Sequence, residues 1–102
     1  MAIVEVSIVP LGTKTPSVSK YVAQAVKVLQ VEKDIKYELT AMGTIIEGDL
    51  DKILMVVKKM HEETFGDGVA RVITTIKIDD RRDKASSMGG KVDSLRKELG
   101  GS

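Results

Sequence analysis

Residues 35–54 read IKYELTAMGTIIEGDLDKIL, and the punctuation of this stretch decides the fold. Ile35 to Met42 alternates, with Ile35, Tyr37, Leu39 and Ala41 on one face, which is the period of a half-buried strand. Gly43 interrupts it, and Thr44 to Glu47 resumes as a further strand. Gly48-Asp49 closes that strand, and Asp49 is suited to cap a helix. In the helix that follows, Leu50, Ile53, Leu54, Val57, Met60, His61 and Thr64 fall on one face. The unit is therefore strand, glycine, strand, helix, with no helix between the two strands.

Outward from this unit, the chain supplies two further strands and two further helices. Upstream, Ile3 to Val9 (IVEVSIV) alternates Val4, Val6 and Ile8 against Ile3, Glu5, Ser7 and Val9. Thr15-Pro16 is a helix start, because proline at the first helical position gives up a hydrogen bond that is absent there anyway. Val18, Val22, Ala25, Val26 and Leu29 form that helix's apolar stripe, which ends near Glu32. Downstream, Gly66 and Asp67-Gly68 stop the second helix, and Val69 to Ile78 (VARVITTIKI) is the fourth strand. A charged connector, Asp79 to Lys84, leads to a thin last helix carrying Met88, Val92, Leu95 and Leu99. Ser86 or Ser87 is placed to cap it, and Gly89-Gly90 weakens its start.

The order β-α-β-β-α-β plus a C-terminal helix, with right-handed crossovers, predicts a ferredoxin-like α+β sandwich. Its sheet is antiparallel with strand order 4-1-3-2. Both main helices lie on one face, and residues 1–102 make a single domain.

Composition narrows the function. Apolar residues are 42% of the 102, enough for a core, and the net charge is +1. That balance lacks the basic footprint of a nucleic-acid binder and gives no support for membrane-surface attachment. No apolar run is long enough to span a bilayer, and Glu5 interrupts the N-terminal apolar stretch where a signal peptide would need continuity. A cytoplasmic location is the default expectation. With no cysteine and one histidine, thiol catalysis, disulfides and a zinc site are not expected. The absence of Asn and Cys, with only two Gln, is a composition reported for heat-adapted proteins.

The sheet face away from the helices would carry Ile3, Glu5, Ser7 and Val9, with Thr40 and Met42. Thr44 and Ile46, or Ile45 and Glu47, would join them, and so would Val69, Arg71, Ile73 and Thr75. This face is too apolar for solvent and too polar for a plain core, which points to homo-oligomerisation: a dimer through open sheet faces, with a tetramer as a further step. The alternative is a solvated face with scattered apolar residues. Glu5, central on that face, needs a partner such as Arg71, a cation or water.

A small polar pocket is expected where Leu11-Gly12-Thr13 meets Met42-Gly43-Thr44 beside the first helix's N-terminus. The competing reading is that both glycines serve turns and the threonines cap. Candidate ligand-binding residues are Glu5, Ser7, Thr13, Thr44 and Glu47; no catalytic or metal-binding residue is singled out. Neither Ile3–Val9 nor Thr44–Glu47 carries the aromatic residues on which RNA-recognition modules stack bases. Acylphosphatase chemistry needs an asparagine, which the chain lacks. Gly12-Thr13-Lys14-Thr15 departs from a phosphate-binding P-loop, because threonine stands where the second glycine belongs. His61 is more economically read as a packed or solvated helix residue than as a catalyst. Glu62-Glu63 and Arg81-Arg82-Asp83-Lys84 read as solvated charge.

The segments VEVSIVPLGT, PSVSKYVAQAV, YELTAMGTIIEGDLDKIL and RVITTIKIDDRRD together resemble the YkoF-like thiamine-binding family of small ferredoxin-like proteins. Ser7-Ile8-Val9-Pro10-Leu11-Gly12, Met42-Gly43-Thr44 and Ile46-Glu47-Gly48 are the most specific pieces. The resemblance implies dimers through open sheet faces, often paired into tetramers. It implies a pocket for thiamine or its hydroxymethylpyrimidine half, and a carrier or sensor in place of an enzyme. Thiamine would be a ligand, not a cofactor. Glu5, Ser7, Thr13, Thr44 and Glu47 are of the types that such a cation and aminopyrimidine require. The competing functions are an oligomeric regulatory domain that senses another small ligand or anion at a subunit interface, and an enzyme, for which Glu5 with Glu47 would be the only titratable pair.

Overall fold

The computed structural model describes residues 1–12, 19–66, 68–83 and 88–100. Seven elements follow one another: β1 (Ala2–Leu11), α1 (Ser19–Gln30), β2 (Lys36–Leu39), β3 (Thr44–Gly48), α2 (Leu50–Glu63), β4 (Arg71–Asp80) and α3 (Met88–Glu98). The four strands form one antiparallel sheet in the order β2-β3-β1-β4, the ferredoxin-like arrangement expected from the element order. The expected start of α1 at Thr15-Pro16, and the caps at Ser86 or Ser87, lie outside the described residues.

Alternation along β1 buries Ala2, Val4 and Val6 toward the helices and turns Ile3, Glu5, Ser7 and Val9 to the open face. Ile46 of β3 lies beside Val4 and is fully buried with it. This fixes the phase of β3: Thr44 and Ile46 face the helices, Ile45 and Glu47 the open side. Helix α2 contributes Ile53, Val56, Val57 and Met60 to the core, an i, i+3, i+4, i+7 stripe. Val56 replaces the expected Leu54, which is 38% exposed. Asp49 caps α2, its carboxylate accepting from the Lys52 N–H at 3.2 Å. Leu29 and Ala25 close the core from α1.

Two boundaries and one register differ from the alternation pattern. β2 stops at Leu39 instead of Met42, so Thr40 and Met42 are turn residues and not part of the open face. β4 starts at Arg71, leaving Val69 outside the sheet. The register sets Lys77 opposite Glu5, whereas Arg71 lies opposite Leu11 at the far end of the strand. Glu5 is exposed in the single chain, so it does not require the buried partner that the sequence suggested.

The two covering helices are joined by ion pairs. Glu32, just past α1, accepts from Lys52 at 2.7 Å and lies 3.7 Å from Lys59, both on α2. The hydrogen bond from Lys52 holds the Glu32 carboxyl below its ordinary value of 4.5. A carboxyl whose pKa is lowered by folding stabilises the native state above the unfolded value, and this contribution is lost as pH falls through the native value. Glu32→Gln should therefore lower thermal stability at neutral pH and flatten its decline below about pH 4.5. Thermal melts of both chains between pH 7 and pH 3 check this: parallel curves would show that the pair contributes nothing.

Candidate functional site

The two edges of β1 are unequally occupied. β4 pairs with it from Ala2 to Leu11, but β3 pairs only from Ala2 to Val6. Beyond Val6 the chain opposite turns away through residues 40–43. Thr40 organises that turn: its Oγ1 accepts from the N–H groups of Met42 (3.3 Å) and Gly43 (3.1 Å) and donates to the Gly43 carbonyl (2.8 Å), which also accepts from the Thr40 N–H (2.9 Å). Gly43 lies so close to β1 that a Cβ there would meet the Val6 carbonyl oxygen at 2.7 Å. A side chain at 43 is therefore sterically excluded.

A cavity of about 390 Å³ occupies the space that β3 vacates. Its walls are Val6 to Val9 of β1, the turn from Leu39 to Thr44, and Tyr21, Val22, Ala25 and Val26 of α1, with Met60 and Thr64 behind. Residues from both faces of β1 line it, as happens along a strand edge without a neighbour. Its lining is largely apolar, with hydroxyls from Ser7, Tyr21, Thr40, Thr44 and Thr64; no carboxylate or histidine lines it among the described residues. The Thr64 hydroxyl is committed to the Met60 carbonyl at 2.8 Å. This size and mixture suit a small, flat, mainly uncharged ligand.

Of the five candidate residues, the structure brings Ser7 and Thr44 to this cavity. Thr44 is 6% exposed and faces the helices; Ser7 follows Val6, the register partner of Thr44, and faces the open side. Glu5 lies two residues before Ser7 on the same face, about 7 Å along the strand, and does not line the cavity. Glu47 is 6% exposed, at the opposite end of β3 between Ile3 and Lys36. Thr13 lies outside the described residues. The expected meeting of Leu11-Gly12 with Met42-Gly43-Thr44 is corrected by register: β1 overshoots β3 by five residues, so the turn meets Val6 and Ser7. Tyr21 and Thr40 are cavity residues that the sequence reading missed. The Thr-x-x-Gly spacing before β3 is the signal for Thr40, because a hydroxyl can close such a turn on its own backbone.

His61 is occupied elsewhere. Its Nδ1 is 2.6 Å from the Thr74 Oγ1, and its ring meets Phe65 edge-on at 5.3 Å, joining α2 to β4. A second concavity of about 550 Å³ lies between the N-terminus and residues 80–82. Its arginines are engaged locally, Arg82 with Asp80 and Arg81 with Asp83. Among the described residues, no cluster of three or more His, Asp or Glu is placed to hold a metal. No helix is long and apolar enough to cross a membrane, as far as the described residues show.

A family model described as thiamine-binding protein matches residues 4–96. The UPF0045 protein YqgV of Bacillus subtilis is 50% identical, over 97% of this chain and 98% of its own length. The solved structure of the MJ1052 protein of Methanocaldococcus jannaschii superposes with a TM-score of 0.84 at 46% identity, covering 92% of this chain and 94% of that one. A Thermotoga maritima protein described by a role in thiamine biosynthesis or salvage superposes with a TM-score of 0.75 over 93% of this chain and 98% of its own. At 20% identity, that likeness shows the fold alone.

Gly43→Ala should lower stability by about 1–3 kcal/mol, because the added methyl must displace backbone on one side or the other. Urea denaturation checks this, and an unchanged midpoint would mean that the turn moves freely.

Proposed function

The chain belongs to the thiamine-binding protein family, and from that premise we propose that it is a non-catalytic binding protein for thiamine or its hydroxymethylpyrimidine half, acting as a homo-oligomer. The observation that carries the reading is the cavity beside the free edge of β1. It offers apolar walls for a ring, an aromatic residue at Tyr21, and hydroxyls at Ser7 and Thr44. Its lining suits the uncharged pyrimidine half. A thiazolium would extend past Ser7 toward the open face, where Glu5 stands two residues away. Among the described residues, no nucleophile–base pair lines the cavity, and the matched family is described by binding and not by a reaction.

Association is proposed through the open face. Val9 and Ile73, register partners on β1 and β4, are 42% and 45% exposed there, and Ile3 and Ile45, toward the other end of the same face, are half-buried. Exposed apolar area of this kind favours a second copy of the chain, which would bring its own Glu5 and Glu47 to the interface.

Thermal-shift measurements with thiamine and with hydroxymethylpyrimidine test the binding reading. A concentration-dependent rise in melting temperature is expected by mass action on the native state, and no rise with either compound would overturn it. Ser7→Ala should weaken thiamine by about 1 kcal/mol, and Glu5→Gln by about 1.5–3 kcal/mol if the charge meets the thiazolium. Light scattering should give at least twice the 11.1 kDa chain mass, and Ile73→Asp should reduce it; a native monomer would refute the assembly.

A further inference from the structure

The backbone of β1 past Val6 has a polarity that the side chains do not reveal. In an extended strand, the N–H and C=O of one residue point to the same side, and successive residues alternate. The Val6 carbonyl faces Gly43, on the β3 side. Ile8 and Pro10 share the parity of Val6, so their backbone groups face the vacated lane. Pro10 supports this independently. It lies within the unbroken pairing of β1 with β4, so its missing N–H has to be on the side away from β4. Ser7, Val9 and Leu11 therefore direct their backbone groups to β4. The lane receives one complete donor–acceptor pair, the N–H and C=O of Ile8, and then the lone carbonyl of Pro10. β3 ends opposite Val6, and no backbone hydrogen bond links Ile8 to the 40–43 turn.

From this we infer that the Ile8 N–H and C=O are the specificity-determining groups of the cavity, and that they read the edge of a 4-aminopyrimidine as a neighbouring strand would. The inference rests on the reading that a pyrimidine occupies the cavity. On that ring an acceptor nitrogen and an exocyclic amine lie side by side. The Ile8 N–H donates to the ring nitrogen, and the amine donates to the Ile8 carbonyl. The ring fills the lane in the plane of the sheet, with Tyr21, Val22 and Val26 of α1 along one side. Pro10 limits the lane's donors to Ile8, which disfavours continuation of the sheet by a peptide and suits a ligand one residue long. A 4-oxo pyrimidine presents the reverse pattern, donor against donor and acceptor against acceptor, and leaves buried groups unpaired.

Calorimetry on the full chain tests this with hydroxymethylpyrimidine and its 4-oxo counterpart. The 4-amino compound should bind about tenfold or more tightly than the 4-oxo one. Ile8→Pro removes the lane-facing N–H without removing a bond to β4, and should cost a similar factor for the 4-amino compound. Binding of both pyrimidines within twofold would overturn the edge readout while leaving the pyrimidine reading intact. Binding of neither would overturn both. Should Ile8→Pro fail to fold by circular dichroism, the comparison of the two pyrimidines on the native chain decides the matter alone.

Discussion

The closed turn at residues 40–43 is the constraint on which the rest depends. Thr40 gathers two N–H groups and one carbonyl around a single hydroxyl, and Gly43 allows that knot to press against the Val6 carbonyl. With the turn fixed there, β3 cannot extend past Thr44, while β1 continues to Leu11 alongside β4. The result is a strand with a complete ladder on one side and half a ladder on the other. Among the described residues, the half-ladder leaves the backbone of Ile8 without a bond to the 40–43 turn. Helix α1 supplies the apolar wall that makes the occupant's surroundings differ from bulk water.

Much of this was legible in the sequence because each element carries its own period. The alternation of Val4 and Val6, the Ile53–Met60 stripe and the Asp49 cap needed no tertiary information. What was not legible was relative position. Alternation through Leu39 and Ala41 implied a longer β2, yet the Thr40 hydroxyl takes over the hydrogen bonding that a strand would have supplied. Two adjacent isoleucines left the phase of β3 open until Val4 fixed it. Leu54 and Val56 are equally apolar, and only the position of the sheet selects Val56 for the core. Arg71, one of the partners expected for Glu5, gives way to Lys77 as the residue opposite it for the same reason: register is set by pairing across the sheet.

The candidate site shows the same division. Ser7 and Thr44 could be named because each is a hydroxyl-bearing residue near the junction of these two strands, although the expected junction lay at Leu11 and the register places it at Val6. Glu47 could be named by type but not by place, since three residues along β3 carry it about 10 Å from the turn. The backbone of Ile8 has no sequence signature of its own. It becomes visible only when the end of β3, the parity of Val6 and the missing N–H of Pro10 are combined.

The single chain leaves apolar surface exposed on both sides of β1: Leu39, Met42 and Val22 stand exposed at the lane, and further residues lie on the β4 side. On β4, Ile73 is exposed on the open face, and Ile76 and Ile78 on the helix face. Val92 and Leu95 of α3, and Leu99 just past its end, are likewise exposed. The vacated lane and the β4 edge, one strand apart, thus both carry exposed apolar residues. β1 is common to both. Its odd-numbered residues hold β4 through the backbone and present side chains to the open face, while its even-numbered ones turn their backbone to β3 up to Val6 and to the lane at Ile8 and Pro10.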